Sequence, residues 1–189
     1  MMFPAEFPHD MKKKPKLLGE KLVYDALREA LDDSWSVFYD RPVKGTRRRV
    51  DFLCINPDRC VIAIEVKGGT VHNWRGNFKQ VVRRDGTRKV VTPFDQAKQA
   101  LGEVLACSGT DAISVPKHLL IFFPQMSQKG FTFSEGPHVF TRENLEPASL
   151  WAKLDGAMPA VAAENSCAAL RRLELALGGR QQDGTAEER

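Results

Sequence analysis

Val61-Ile62-Ala63-Ile64-Glu65-Val66-Lys67 reads as a strand: apolar and mostly β-branched, with no charge until its last turn of pleat. Along a strand, residues two apart point to one face, so Glu65 and Lys67 project together where a core strand ends. Burying either charge alone is costly. Two readings follow. One is a salt bridge that finishes the strand. The other is a metal-ligating carboxylate beside a catalytic lysine.

Working outward, Arg48 to Ile55 forms the preceding strand, and Asn56-Pro57-Asp58-Arg59 is a turn by composition. Two strands joined this closely make an antiparallel hairpin. With the turn centred between Pro57 and Asp58, Asp51 falls opposite Ile64, one position from Glu65. The hairpin therefore brings the Asp51 and Glu65 backbones together. Whether the two side chains share a face turns on a one-residue choice of register. The same pairing puts Cys54 near Cys60.

Upstream, Leu18, Leu22, Val23, Ala26, Leu27, Ala30 and Leu31 recur at helical spacing, with Glu20 in the first turn, where a carboxylate suits the helix dipole. Residues 1–16, with three prolines and a lysine run, read as a flexible lead-in. Trp35 to Tyr39 is a short strand, followed by a basic turn around Pro42 and Gly45. Downstream, Gly68 and Gly69 end the strand, and a loop carries His72 and Trp74. Asp85-Gly86 marks a hairpin between Lys79–Arg84 and Thr87–Val91. Pro93 opens a helix running to Leu105. His118 to Phe123 is a further apolar strand, and Phe131 to Phe140 adds a short one before a Thr141 cap. Helices near 147–156 and 159–177 carry Leu150, Trp151, Leu154, Leu170, Leu173 and Leu177, which need burial against the core. The pattern predicts a single α/β domain over residues 17–178 with a mixed sheet of four or five strands, and a frayed tail at 179–189.

With 189 residues and 42% apolar content, the chain has enough material for one sizeable core without staples. No apolar run approaches the roughly 20 residues of a membrane span, and no signal-peptide core follows Lys12-Lys13-Lys14. A cytoplasmic protein with no membrane partner is expected. The four cysteines form no Cys-x-x-Cys pair and read as buried thiols. The formal charge is only +4, but it is clustered. Lys44, Arg47, Arg48 and Arg49 crowd one stretch, and Arg83, Arg84, Arg88 and Lys89 another. Such clusters suit a phosphate backbone, although solvated loops also carry them.

The order of these features resembles the restriction-endonuclease-like nucleases, with an Asp followed by (Asp/Glu)-x-Lys on the adjacent strand. More closely, it is similar to the nuclease-related domain, NERD. The matching residues are Gly19-Glu20 opening a helix, Asp51, Glu65-Val66-Lys67-Gly68, and Pro93-Phe94-Asp95-Gln96 before a helix; they span about residues 17–105. Trp74 fits a loop tryptophan of that family. Val50 and Thr92 depart from its usual residues at positions that carry no chemistry.

The resemblance implies a restriction-endonuclease-like fold and hydrolysis of DNA phosphodiester bonds with Mg²⁺, Mn²⁺ substituting. Asp51 and Glu65 would hold the ion with the Val66 carbonyl, and Glu20 would act through a bound water or a second ion. Lys67 would orient water or stabilise developing charge. Gln96 would fix Lys67 or a phosphate. The basic stretches would grip the backbone without reading bases. The expected partner is DNA, with RNA open; endo- or exonuclease action and oligomeric state are not specified. Two other classes compete: a nucleic-acid-binding module that has lost catalysis, and a scaffolding protein in which Glu65 and Lys67 are structural.

Overall fold

The computed structural model describes residues 1–10, 13–14, 17–40, 49–68, 71–74, 77–80, 93–109, 115–127, 129, 138–158 and 164–178, with backbone alone for 71–74, 77–80, 157 and 164. At its centre is β4, Cys60–Val66, with all seven residues buried. A strand apolar on both faces must be covered on both, and this one is. Its antiparallel neighbour is β3, Phe52–Asn56, and its parallel neighbour is β7, Lys117–Phe123. Outward on one side lie β2, Ser36–Tyr39, and β1, Met2–Phe3; on the other lies β8, Val139–Thr141. The sheet order is β1-β2-β3-β4-β7-β8, six strands of mixed polarity against the four or five expected.

Alternation along β4 divides the core. Cys60, Ile62, Ile64 and Val66 pack towards α1, Leu18–Ala30, and α3, Pro147–Ala157, through Val23, Leu27, Leu150 and Leu154. Val61 and Ala63 pack the other way, towards α2, Pro93–Cys107, and α4, Glu164–Ala176, through Leu101, Leu105, Leu170 and Leu173. The C-terminal helices thus fold back as expected, one on each face. Trp151 is only half-buried at the edge of the first layer.

The hairpin register differs from expectation by one residue. Asn56 pairs with Cys60 and Phe52 with Ile64, so three residues, not four, make the connection. The Asn56 side chain supports it by accepting the Asp58 N–H at 3.0 Å, as an Asx turn does. The strand expected from Arg48 begins only at Phe52.

Two further expectations are corrected. The first ten residues are tied down: β1 runs parallel to β2, Phe3 stacks on Phe38 at 4.9 Å, and the Tyr24 hydroxyl donates to the Pro4 carbonyl at 2.7 Å. Aromatic residues among the prolines supply the burial that their composition concealed. The stretch holding His72 and Trp74 is a strand, β5, Val71–Trp74, paired with β6, Asn77–Gln80, in a separate two-stranded sheet. The expected Asp85-Gly86 hairpin lies outside the described residues.

Candidate active site

The site forms where β3 and β4 stop together. The pairing Phe52–Ile64 is the last of the ladder, so Asp51 stands one step beyond it, beside Glu65 of β4. The two carboxylates come close enough for the Glu65 charge to act on Asp51. At this point the ladder ends. The Lys67 N–H turns to β7, donating to Phe122 O at 2.9 Å, so by alternation the Val66 N–H turns towards β3. The Asp51 carboxylate takes it, with Oδ2 accepting from Val66 N at 2.7 Å. A side chain thereby replaces the missing strand residue, and the carboxylate is drawn into the sheet end.

Glu65 accepts a hydrogen bond from the Lys67 ammonium. Their side chains are only 10% and 15% exposed, so this is a mostly buried ion pair, not the surface bridge that would finish a strand cheaply. Glu20 arrives from the other layer, in the first turn of α1. The close approach depends on Gly19. A Cβ there would stand 3.1 Å from Pro124 Cγ and 3.7 Å from the Gly68 Cα, so the helix start abuts the end of β4.

The electrostatics follow from this crowding. Although Asp51 as a residue is half-buried, its carboxyl is desolvated. Its pKa is pushed up to about 8, first by burial and then by the Glu65 charge, with Glu20 adding to the rise; the Val66 N–H and Lys67 oppose it. Among the described residues, the Glu65 and Glu20 charges thus both act on Asp51, and the Lys67 ammonium opposes them. Strongly perturbed carboxyls cluster at functional sites, although structural ion-pair networks perturb pKa values too.

Sequence reasoning missed Tyr39. It ends β2 opposite Phe52, is 4% exposed, and donates its hydroxyl to Glu20 Oε2. Burial, the Glu20 hydrogen bond and nearby carboxylates push its pKa far up. The next residue, Asp40, has φ 41°, a left-handed turn that aspartate tolerates, and its N–H donates to the Asp51 carbonyl at 2.9 Å. The only available signal was a tyrosine at a strand end just before an acidic break.

Gln96 is half-buried on the first turn of α2; among the described residues no hydrogen bond joins it to Lys67. Arg49 is exposed and pairs with Asp40 at 2.7 Å. Lys44, Arg47, Arg48, Arg83, Arg84, Arg88 and Lys89 lie outside the described residues. A cavity of about 550 Å³ runs along α2 past Phe94, Leu101 and His118 and includes none of the clustered carboxylates. His118 is half-buried there, and burial together with His138 lowers its pKa. Cys54 and Cys60 are buried free thiols, as expected, whereas Cys107 is exposed and Cys167 half-buried, because they sit at the end of α2 and on α4 and not on a central strand.

The profile of the nuclease-related domain family matches residues 15–124, more than half of the chain. The chain belongs to the nuclease-related domain family. The matched NERD span takes in Glu20, Asp51, Glu65, Lys67 and Gln96. It leaves out β1, β8, α3 and α4, so the layer that covers α1 and part of the sheet lies beyond it. No curated protein and no solved structure matches this NERD chain. Among the described residues, no helix is long and apolar enough to cross a membrane.

Whether the site fits a divalent ion can be tested on its donor set. Among the described residues no group of three or more His, Cys, Asp or Glu side chains stands ready to hold a metal. Asp51 and Glu65 form a pair, and Glu20 is engaged by Tyr39. Mg²⁺ is commonly bound by one or two carboxylates with water and substrate oxygens completing its shell. Burial first, and then the Glu65 charge, raise the Asp51 pKa, and a bound cation would act in the opposite direction. The residues fit the ion as a two-carboxylate set.

Proposed function

We propose that this NERD chain is a metal-dependent nuclease that hydrolyses DNA phosphodiester bonds without a defined recognition sequence. The observation that carries the reading is the Asp51 carboxyl, crowded by Glu65 and Glu20 and buried until its pKa reaches about 8. Asp51, Glu65 and the Val66 carbonyl would hold Mg²⁺, with Mn²⁺ as a substitute, and Glu20 would act through a bound water or a second ion. The ion would neutralise charge on the phosphate and lower the pKa of its water.

The chain's own groups do the rest. Lys67 is the ammonium at the carboxylate cluster and would face the phosphate or the attacking water, where charge develops. The Val66 N–H holds one oxygen of the Asp51 carboxylate, and the other would face the ion. Gln96 would steady the edge of the site. The basic stretches 41–49 and 83–89 would grip phosphates, which fixes position and carries no sequence information.

The test is cleavage of linear, nicked and single-stranded DNA with Mg²⁺ or Mn²⁺, beside an EDTA control and an RNA substrate. Metal-dependent cleavage of DNA, with binding that weakens steeply as salt rises, is the expected result. Binding that persists unchanged in EDTA, with no cleavage under any metal, would replace this reading by an inactive nucleic-acid-binding module. Absence of binding at low salt would leave only a scaffolding role.

A further inference from the structure

Glu20 is the one carboxylate of the cluster that comes from the opposite layer, and the helix bearing it enters at Gly19 with no side-chain cap to anchor its first turn. Something else must hold its carboxylate beside Asp51. Tyr39 is the group that does so. Its hydroxyl donates to Glu20 Oε2, and its backbone pairs with Phe52, the residue next to Asp51. One tyrosine therefore links the strand that leads to Asp51 with the helix that carries Glu20.

The ring is itself fixed. Phe7 lies 5.0 Å away by centroid and Phe52 5.1 Å, with Tyr24 edge-on at 6.3 Å and His9 at 6.1 Å. Phe7 also meets Tyr24 edge-on at 5.4 Å, and the Tyr24 hydroxyl is bonded to Pro4. Two walls of this box, Phe7 and His9, come from the N-terminal segment, which lies before the matched family span. Such aromatic contacts orient a ring as well as burying it. A side chain held within a few tenths of an ångström by packing behind it is what a reactive group needs for support.

We propose that Tyr39 is the positioning residue for Glu20, holding its carboxylate at the Asp51 end of the site, and that the N-terminal ten residues serve this site by walling in the Tyr39 ring. The inference rests on the nuclease reading for what Glu20 does, but not for where Glu20 is held.

The experiment is a double-mutant cycle of Tyr39→Phe with Glu20→Gln in the full chain, read three ways: Mn²⁺ affinity by calorimetry, DNA cleavage at saturating Mg²⁺, and melting temperature. Tyr39→Phe keeps the ring and loses only the donor. We expect it to lower cleavage about tenfold, the rate equivalent of one charge-assisted hydrogen bond at the lower end of its range, and to weaken Mn²⁺ binding several-fold. In the Glu20→Gln background it should change neither. Phe7→Ala should reproduce the loss in part, while melting shows how much of that is stability. Unchanged cleavage and Mn²⁺ affinity in Tyr39→Phe would overturn the proposal, as would a full additional loss in the Glu20→Gln background. If the wild-type chain binds Mn²⁺ without cutting DNA, the nuclease reading fails and the affinity cycle alone decides on Tyr39. If it binds no Mn²⁺, nothing remains for Glu20 to be positioned towards, and the proposal falls with it.

Discussion

Asp51→Asn should make the metal-free protein more stable, although it alters a buried, hydrogen-bonded group. The asparagine amide oxygen can still accept the Val66 N–H that Asp51 accepts at 2.7 Å, so the sheet end keeps its bond. What disappears is a charge that the site resists. The folded carboxyl has a pKa of about 8 against an ordinary 3.8, so between these values folding takes up a proton. The unfolded chain then binds fewer protons than the folded one, and stability falls as pH rises through that window, reaching its full loss above about pH 8. At about 1.4 kcal/mol for each tenfold step, the ceiling of that loss is about 6 kcal/mol. Relaxation and water entry reduce such penalties, so we expect about 2–3 kcal/mol. For a chain of this size that is roughly 5–10 °C in Tm. The assay is thermal unfolding in EDTA at pH 5 and pH 8.5. The variant should melt higher at pH 8.5, and its advantage should shrink at pH 5. Saturating Mg²⁺ should close the gap by stabilising the wild type by about 2.7 kcal/mol at a hundred times its Kd. A variant that melts lower at pH 8.5, or the same pH slope in both proteins, would refute the account of Asp51 as a carboxylate waiting for a cation.

Lys67→Ala should cut cleavage by about 10²–10³ at saturating Mg²⁺, measured as initial rate; because its pair with Glu65 is mostly buried, it should also lower Tm in EDTA and recover part of that with Mg²⁺. Gly19→Ala should leave Tm within a few degrees, since the alanine gain in helix propensity of about 1 kcal/mol offsets part of the crowding against Pro124. Its cleavage rate should still fall at least tenfold, because displacing α1 displaces Glu20 and sub-ångström misplacement costs rate. Ser36→Ala is the contrasting case. The Ser36 hydroxyl donates to the buried Glu174 of α4, far along the chain from the carboxylates. Its loss should cost about 1–3 kcal/mol in urea unfolding and leave the cleavage rate at saturating metal unchanged.

How much of this was legible in the sequence depended on the range of the interactions involved. The hairpin of Asp51 and Glu65 could be read, because alternation and a turn are local signals. Its exact register could not, since Asn56 closes a three-residue connection with its own side chain, and composition alone does not place that pairing. One residue of register decides whether Asp51 and Glu65 share a face. Glu20 could be named by order along the chain, but its tie to Tyr39 is a contact between layers that no periodicity encodes. The N-terminal segment was misread for a similar reason: Phe3 and Phe7 are ordinary residues in a proline-rich stretch until β2 and α1 give them partners. His72 and Trp74 sit in a four-residue strand, too short for alternation to register.

The placement of β4 between an antiparallel and a parallel neighbour has a consequence for the order of folding. Glu20, Asp51, Glu65 and Lys67 lie on or directly beside α1, β3 and β4, elements that are close in sequence. β7 arrives only after α2, and closing that longer loop is slower. During synthesis, the edge of β4 later covered by β7 therefore stays bare after the hairpin has formed. An apolar, β-branched edge of this kind invites pairing with another chain. The same Glu65 and Lys67 that terminate the strand place charge at its open end, where gatekeeper residues discourage such pairing. Replacing both with apolar residues should therefore lower the soluble yield of the nascent protein even at temperatures where the finished fold is secure.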